Sequence, residues 1–194
     1  MNRPFALMLA AAALALVQGC APVLIGGAAT GATVAHDRRT AGTFIEDQAI
    51  ELKAKAALGD DPDLRAQAHL NVTSINMVVL LSGEAPSEAL RQRAGELVAK
   101  VEKVRRVHNE VQVAAPSSMM TRSSDTLITA RVKTALFSIK GLENFDPTRV
   151  KVVTENGTVF LMGLLTRAEA DATARTASRV GGVQRVVKLF EYQD

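Results

Sequence analysis

The stretch Lys151-Val152-Val153-Thr154-Glu155-Asn156-Gly157-Thr158-Val159-Phe160-Leu161-Met162-Gly163 decides the fold. Asn-Gly between two β-forming runs is a type I′ hairpin signal, because both central turn positions take positive φ. Two antiparallel strands joined by a tight turn are therefore expected. Eighty residues upstream, Asn71-Val72-Thr73 through Val79-Leu80-Leu81-Ser82-Gly83 follows the same pattern, around the weaker turn Ser74-Ile75-Asn76-Met77. Gly83 and Gly163 close the two patterns and read as strand ends.

The flanking sequence repeats as well. At an offset of 78, Asp47, Ile50, Lys53, Lys55, Ala57 and Leu58 recur as Asp125, Ile128, Arg131, Lys133, Ala135 and Leu136. At an offset of 79, Val101, Val104, Arg106 and Val107 recur as Val180, Val183, Arg185 and Val186. Three blocks in one order mark an internal duplication. The first block has helical spacing, with Ile128, Val132, Ala135, Leu136 and Ile139 on one side. A second helix is expected from Ser87 to Lys100 and from Thr166 to Arg179. The latter opens with the capping-box pair Thr166 and Glu169. A last strand is expected over Arg106 to Val113 and Gln184 to Tyr192. The fold class is α+β. Two tandem domains, 44–114 and 115–194, each read α-β-β-α-β, with two helices packed on a three-stranded mixed sheet.

The N-terminus reads as an export signal. Arg3 precedes an apolar run of 13 residues, Phe5 to Val17. That is shorter than the roughly 20 residues a spanning helix needs, and it suits a signal peptide over 1–19. Leu16-Val17-Gln18-Gly19-Cys20 resembles a bacterial lipobox, which implies lipid on Cys20, the single cysteine. By the same resemblance, Ala21 implies sorting to the outer membrane, on its periplasmic face. Residues 20–43 are rich in Gly, Ala and Thr and read as the lipidated Cys with a flexible tether.

Composition narrows the partners. One cysteine allows no intrachain disulfide. Aromatics are 4% of the chain, with no Trp, and the net charge is +3, a poor basis for stacking on nucleic acid. His36, His69 and His108 are scattered, so no metal or other cofactor is expected. No nucleophile, base and orienter are suggested by spacing, so no catalytic residue is assigned. Arg91, Arg93, Arg105 and Arg106 read as solvated faces.

The run Val152 to Gly163, then Ala170-Asp171-Ala172 and Ser178 through Val186, resembles the BON domain, a bacterial periplasmic module. With the lipobox and two copies, the chain resembles the dual-BON-domain outer-membrane lipoproteins of the division site. That resemblance implies a non-enzymatic protein that supports outer-membrane integrity. It also implies that the second domain binds anionic phospholipid, phosphatidylglycerol or cardiolipin, through its first helix.

The residues distinguish the copies. Residues 44–114 hold 11 Asp and Glu against 9 Lys and Arg, and residues 115–194 hold 8 against 11. In the second copy, Leu127 and Phe137 lie off the core stripe beside Arg131 and Lys133, where the first copy has Ala49 and Gly59. Apolar groups beside cations suit a membrane interface. Packing of Leu127 and Phe137 on the other domain is the competing reading. The family's usual pattern has an aromatic at the Leu127 position. The expected phospholipid-binding set is Leu127, Ile128, Arg131, Lys133, Phe137 and Lys140. The alternative function is an adaptor that docks an envelope protein, with the acidic first domain as its surface.

Overall fold

The computed structural model describes residues 40–194. Cys20, the apolar run before it and the tether up to residue 39 lie outside the described residues. Both repeats fall within one compact unit, His36–Asp194. In the first repeat, α1 (Ala41–Asp60) and the short α2 (Pro62–Gln67) precede β1 (His69–Ile75), β2 (Val78–Ala85), α3 (Glu88–Ala99), β3 (Arg106–Asn109) and β4 (Gln112–Val113). In the second, α4 (Met119–Leu136) leads through a 3₁₀ turn (Pro147–Arg149) to β5 (Lys151–Glu155), β6 (Thr158–Leu165), α5 (Arg167–Ser178) and β7 (Arg185–Tyr192). Each sheet is mixed. β2 pairs antiparallel with β1 and parallel with β3 and β4, and β6 pairs antiparallel with β5 and parallel with β7.

The α-β-β-α-β order is present twice, with local departures. In the first repeat α2 is extra. Asp61 accepts from the backbone N–H of Asp63 and Leu64, Pro62 fits the first turn, and Leu64 is driven into the core at 2% exposure. The third strand of that repeat is split. Asn109 Oδ1 takes the Val111 N–H at 3.4 Å, and the detour buries Val111. α1 begins at Ala41, inside the span read as tether, because the Thr40 hydroxyl caps it. α4 begins six residues before Asp125, capped by Ser118. Thr166 and Glu169 do form a reciprocal capping box.

Asp47 and Asp125 explain why the hairpin and the first helix recur together. Asp47 accepts from the backbone N–H of Asn76 at 2.9 Å and of Met77 at 2.8 Å, and from the Ser74 hydroxyl at 2.7 Å. Asp125 accepts from the N–H of Asn156 and Gly157, both at 2.9 Å. The two turns carry positive φ, 51° and 62° at Asn76 and Met77, 47° and 69° at Asn156 and Gly157. Their N–H groups face away from the ladder and need these acceptors.

Gly83 and Gly163 are not strand ends; they lie inside β2 and β6. A Cβ at Gly83, with φ 111°, would stand 2.0 Å from the His69 carbonyl oxygen, and one at Gly163 would stand 2.8 Å from that of Arg149. Close backbone approach, not a turn, is the reason for glycine here.

Alternation along the central strands builds two kinds of core. Val79, Leu81 and Ala85 pack with Ile50, Ala54 and Leu58 of α1 and with Ala94 and Val98 of α3. Val159, Leu161 and Leu165 pack likewise with Ile128, Val132 and Leu136 of α4 and Ala170 and Ala177 of α5. The opposite faces meet each other. Ile75 and Leu80 of the first sheet form one cluster with Phe160 and Met162 of the second. The order of layers is helices, sheet, sheet, helices. Strands covered on both faces are apolar on both faces, which β6 shows along its length.

Candidate functional site

The face in question is the outer side of α4. At about 100° per residue, Ile128, Val132 and Leu136 point to the core with Asp125. The opposite arc carries Met119, Met120, Leu127 and Phe137, interspersed with Ser123, Ala130 and Thr134. Leu127 is 58% and Phe137 66% exposed, so neither packs on the other domain. Arg131 borders this arc on one side and Lys133 on the other, and both are exposed. Lys140 is exposed beyond the helix end. Ile128 does not belong to the face. It is 5% exposed and sits in the core of the second repeat. Met119 and Met120, 74% and 84% exposed, do belong to it. They were missed because the repeat alignment starts at Asp125, and the Ser118 cap was the signal that could have found them.

The small polar residues of this arc are internally satisfied. Ser123 donates to the Met119 carbonyl at 2.9 Å and Thr134 to the Ala130 carbonyl at 3.0 Å, and on the flank Thr126 donates to the Arg122 carbonyl at 2.9 Å. Such back-bonding lowers the cost of taking a hydroxyl out of water. The face is therefore less polar than its composition suggests.

The equivalent helix α1 is not bare of large apolar groups, contrary to the contrast drawn from Ala49 and Gly59. Ile45 is 67% and Leu52 72% exposed. The difference lies in the charges. On α1, Lys53 pairs with Glu102 at 2.9 Å and Lys55 with Glu51 at 3.7 Å, while Glu46 pairs with Lys103 at 2.6 Å. The Lys53 ammonium holds the Glu102 carboxyl below its usual range, and Glu46 holds the Lys103 ammonium above its own. Among the described residues, Arg131, Lys133 and Lys140 have no such partner. Lys133 in the last turn also complements the negative helix end.

Three of the four arginines read as solvated faces have partners in the fold. Arg91 binds Glu88 and the Asn109 carbonyl, Arg93 reaches Asp61 at 2.6 Å, and Arg105 reaches Glu191 at 3.2 Å. His108 is half-buried on β3, and burial, then Arg106, lower its imidazole pKa. His69 opens β1, and His36 and Cys20 lie outside the described residues. Among the described residues, no three His, Cys, Asp or Glu side chains converge as a metal shell would require. No helix among them is long and apolar enough to cross a membrane.

The BON domain model matches the chain twice, over residues 46–115 and 124–194. The outer membrane lipoprotein DolP of Haemophilus influenzae is 40% identical over 92% of this chain and 91% of that protein. The 21 kDa hemolysin of Actinobacillus pleuropneumoniae is 37% identical over 80% of this chain and 79% of that protein. The osmotically-inducible protein Y of Escherichia coli is 33% identical over 75% and 72%.

Proposed function

The chain belongs to the BON-domain family, and from that premise we propose that it is a lipid-anchored outer-membrane protein whose second BON domain binds anionic phospholipid through α4. In this reading Cys20 carries the anchor, the protein faces the periplasm, and it supports outer-membrane integrity at the division site without catalysing a reaction. The lipobox at Val17-Gln18-Gly19-Cys20 and the likeness to an outer membrane lipoprotein support the location. One observation carries the binding mode: exposed Leu127 and Phe137 lie between Arg131 and Lys133, cations without a carboxylate partner among the described residues. Apolar groups of this size enter the acyl boundary while the cations meet phosphate. Each cation near an anionic surface adds about 1 kcal/mol.

Flotation of the chain from Ala21 onward, without its lipid, tests this. It should float with vesicles of phosphatidylcholine containing phosphatidylglycerol and stay behind with phosphatidylcholine alone. Equal recovery from both, or from neither, counts against the reading.

A second reading has its own support. Ile45 and Leu52 form an exposed apolar pair on α1 among charges that are already paired, which suits docking of an envelope protein. Loss of a cross-linked envelope partner on replacing Ile45 and Leu52 by Ser, with flotation intact, would favour it.

A further inference from the structure

Between the repeats lies a cleft of about 400 Å³, walled by Lys55, His69 and Asn71 of the first and by Arg122, Thr126 and Glu155 of the second. Its formal charges balance, Lys55 and Arg122 against Asp125 and Glu155, but among the described residues these cations and carboxylates form no ion pair with one another. Arg122 is half-buried, and the one hydrogen bond of its guanidinium among the described residues is from Nε to the Ser117 hydroxyl at 3.4 Å. Lys55 is exposed and lies 3.7 Å from the largely buried Glu51. The carboxylates lining the cleft are already engaged. Asp125 holds the Asn156 and Gly157 N–H groups, and Glu155 Oε1 accepts from Asn71 at 2.7 Å and from Ser82 at 3.2 Å. A half-buried guanidinium without an ion-pair partner has donors open to an anion.

The place of the cleft on α4 names the anion. Arg122, Thr126, Thr129 and Lys133 follow one another at i, i+4, i+7 and i+11, a stripe alongside the Leu127–Phe137 arc. A headgroup in the cleft would keep its acyl chains next to that arc. We infer that the cleft is a phosphate subsite, in which Arg122 of the second repeat and Lys55 of the first close on one phosphate ester. The assignment of that ester to a phospholipid rests on the proposed function; a soluble phosphate ester offers the same chemistry. The first domain thereby takes part in recognition through Lys55 of α1.

The test uses the two-domain unit His36–Asp194 and two ligands: dodecylphosphocholine micelles doped with phosphatidylglycerol, and soluble sn-glycerol phosphate, each titrated by NMR. Arg122→Gln and Lys55→Gln should each weaken micelle binding about fivefold, the equivalent of about 1 kcal/mol per cation at an anionic surface. Lys53→Gln, paired with Glu102 outside the cleft, should not. Glycerol phosphate should shift the amides of Asn71 and Thr126 in the wild type and leave them still in Arg122→Gln. If both cleft variants bind micelles like the wild type while Leu127→Ser with Phe137→Ser abolishes binding, the subsite is overturned and the lipid reading stands. If the apolar pair has no effect but glycerol phosphate shifts the cleft, the subsite stands as a site for a soluble ester and the lipid reading falls. No response of the cleft to either ligand overturns the inference outright.

Discussion

Asn156, in the hairpin turn of the second repeat, donates its side-chain amide to Glu84 Oε1 at 2.6 Å, and Glu84 is 1% exposed. The relationship is reciprocal. Asn76, the equivalent turn residue of the first repeat, donates to Glu191 Oε2 at 2.7 Å near the end of β7. Each turn thus grips the far end of the other sheet, and the asparagines serve both the positive φ of the turn and the join between domains. Glycine also accepts that φ. Asn156→Gly should therefore isolate the amide. It leaves Glu84 buried with only the Ser117 N–H at 3.3 Å, and should cost about 1.5–3 kcal/mol in urea unfolding. Asn76→Gly should cost less, because Glu191 is partly exposed and keeps Arg105. Equal losses would contradict the role given to burial.

The aspartates that clamp the turns should matter as much. Asp47→Ala and Asp125→Ala each leave at least two backbone N–H groups without their acceptor. A loss of about 1.5–3 kcal/mol is expected for each in chemical denaturation, since the acceptor is charged and buried. Alanine at either site with unchanged stability would mean that water replaces the carboxylate.

These two relationships show what could be read from the chain. Asp47 and Asp125 stood out as repeated residues, and Asn156-Gly157 announced its turn, because both signals are local. The join between sheets was not read. It depends on the second face of each sheet, where Phe160 and Met162 of β6 meet Leu80 of β2 and Ile75 of β1. The unbroken apolar run of β6 was the available sign that both faces are covered. Gly83 and Gly163 misled for a related reason. A glycine forced by a neighbouring strand's carbonyl looks in sequence like one ending a strand. On α4 the exposed arc was legible from its spacing, but the difference from α1 was not. It rests on ion pairs such as Lys103 with Glu46, which lie 57 residues apart.

Glu155 gives the interface a pH dependence. Burial raises its carboxyl above the ordinary value of 4.5, the bonds from Asn71 and Ser82 oppose this, and Glu84 adds to it. A raised folded-state pKa means the fold prefers the protonated form. The stabilising contribution is complete below about pH 4.5 and is lost as pH rises through the folded value. Glu155→Gln keeps an acceptor for Asn71 and Ser82 while removing the charge. It should be more stable than the wild type at pH 7, with the gap closing as the pH falls. Parallel stability curves for the two proteins from pH 4 to 8 would refute this.

Cys20→Ala tests the anchor separately from the domains. The substituted chain should leave the membrane fraction and lose labelled palmitate, since one interfacial helix does not replace several acyl chains. A wild-type protein without label, or a variant that still fractionates with outer membrane, would count against lipidation at this residue.

The proposed lipid face makes the sharpest demand, because both first helices expose apolar residues and both carry cations. Replacing Leu127 and Phe137 together by Ser should lose about 2–4 kcal/mol of binding to phosphatidylglycerol vesicles, the scale for removing two large side chains from an apolar phase. Replacing Ile45 and Leu52 by Ser on α1 should change little, since Lys53 beside them is held by Glu102. Arg131→Gln with Lys133→Gln should weaken binding at low salt, and that difference should shrink as ionic strength rises and screening shortens the reach of the charges. None of these side chains belongs to the core cluster of Ile128, Val132 and Leu136, so unfolding midpoints should hold. Two-domain protein is needed throughout, because a separated second domain would expose Phe160 and Met162, apolar surface that binds micelles for its own reasons. If the α1 pair proves as costly as the α4 pair, unpaired charge is not what selects the second domain, and the assignment to α4 fails.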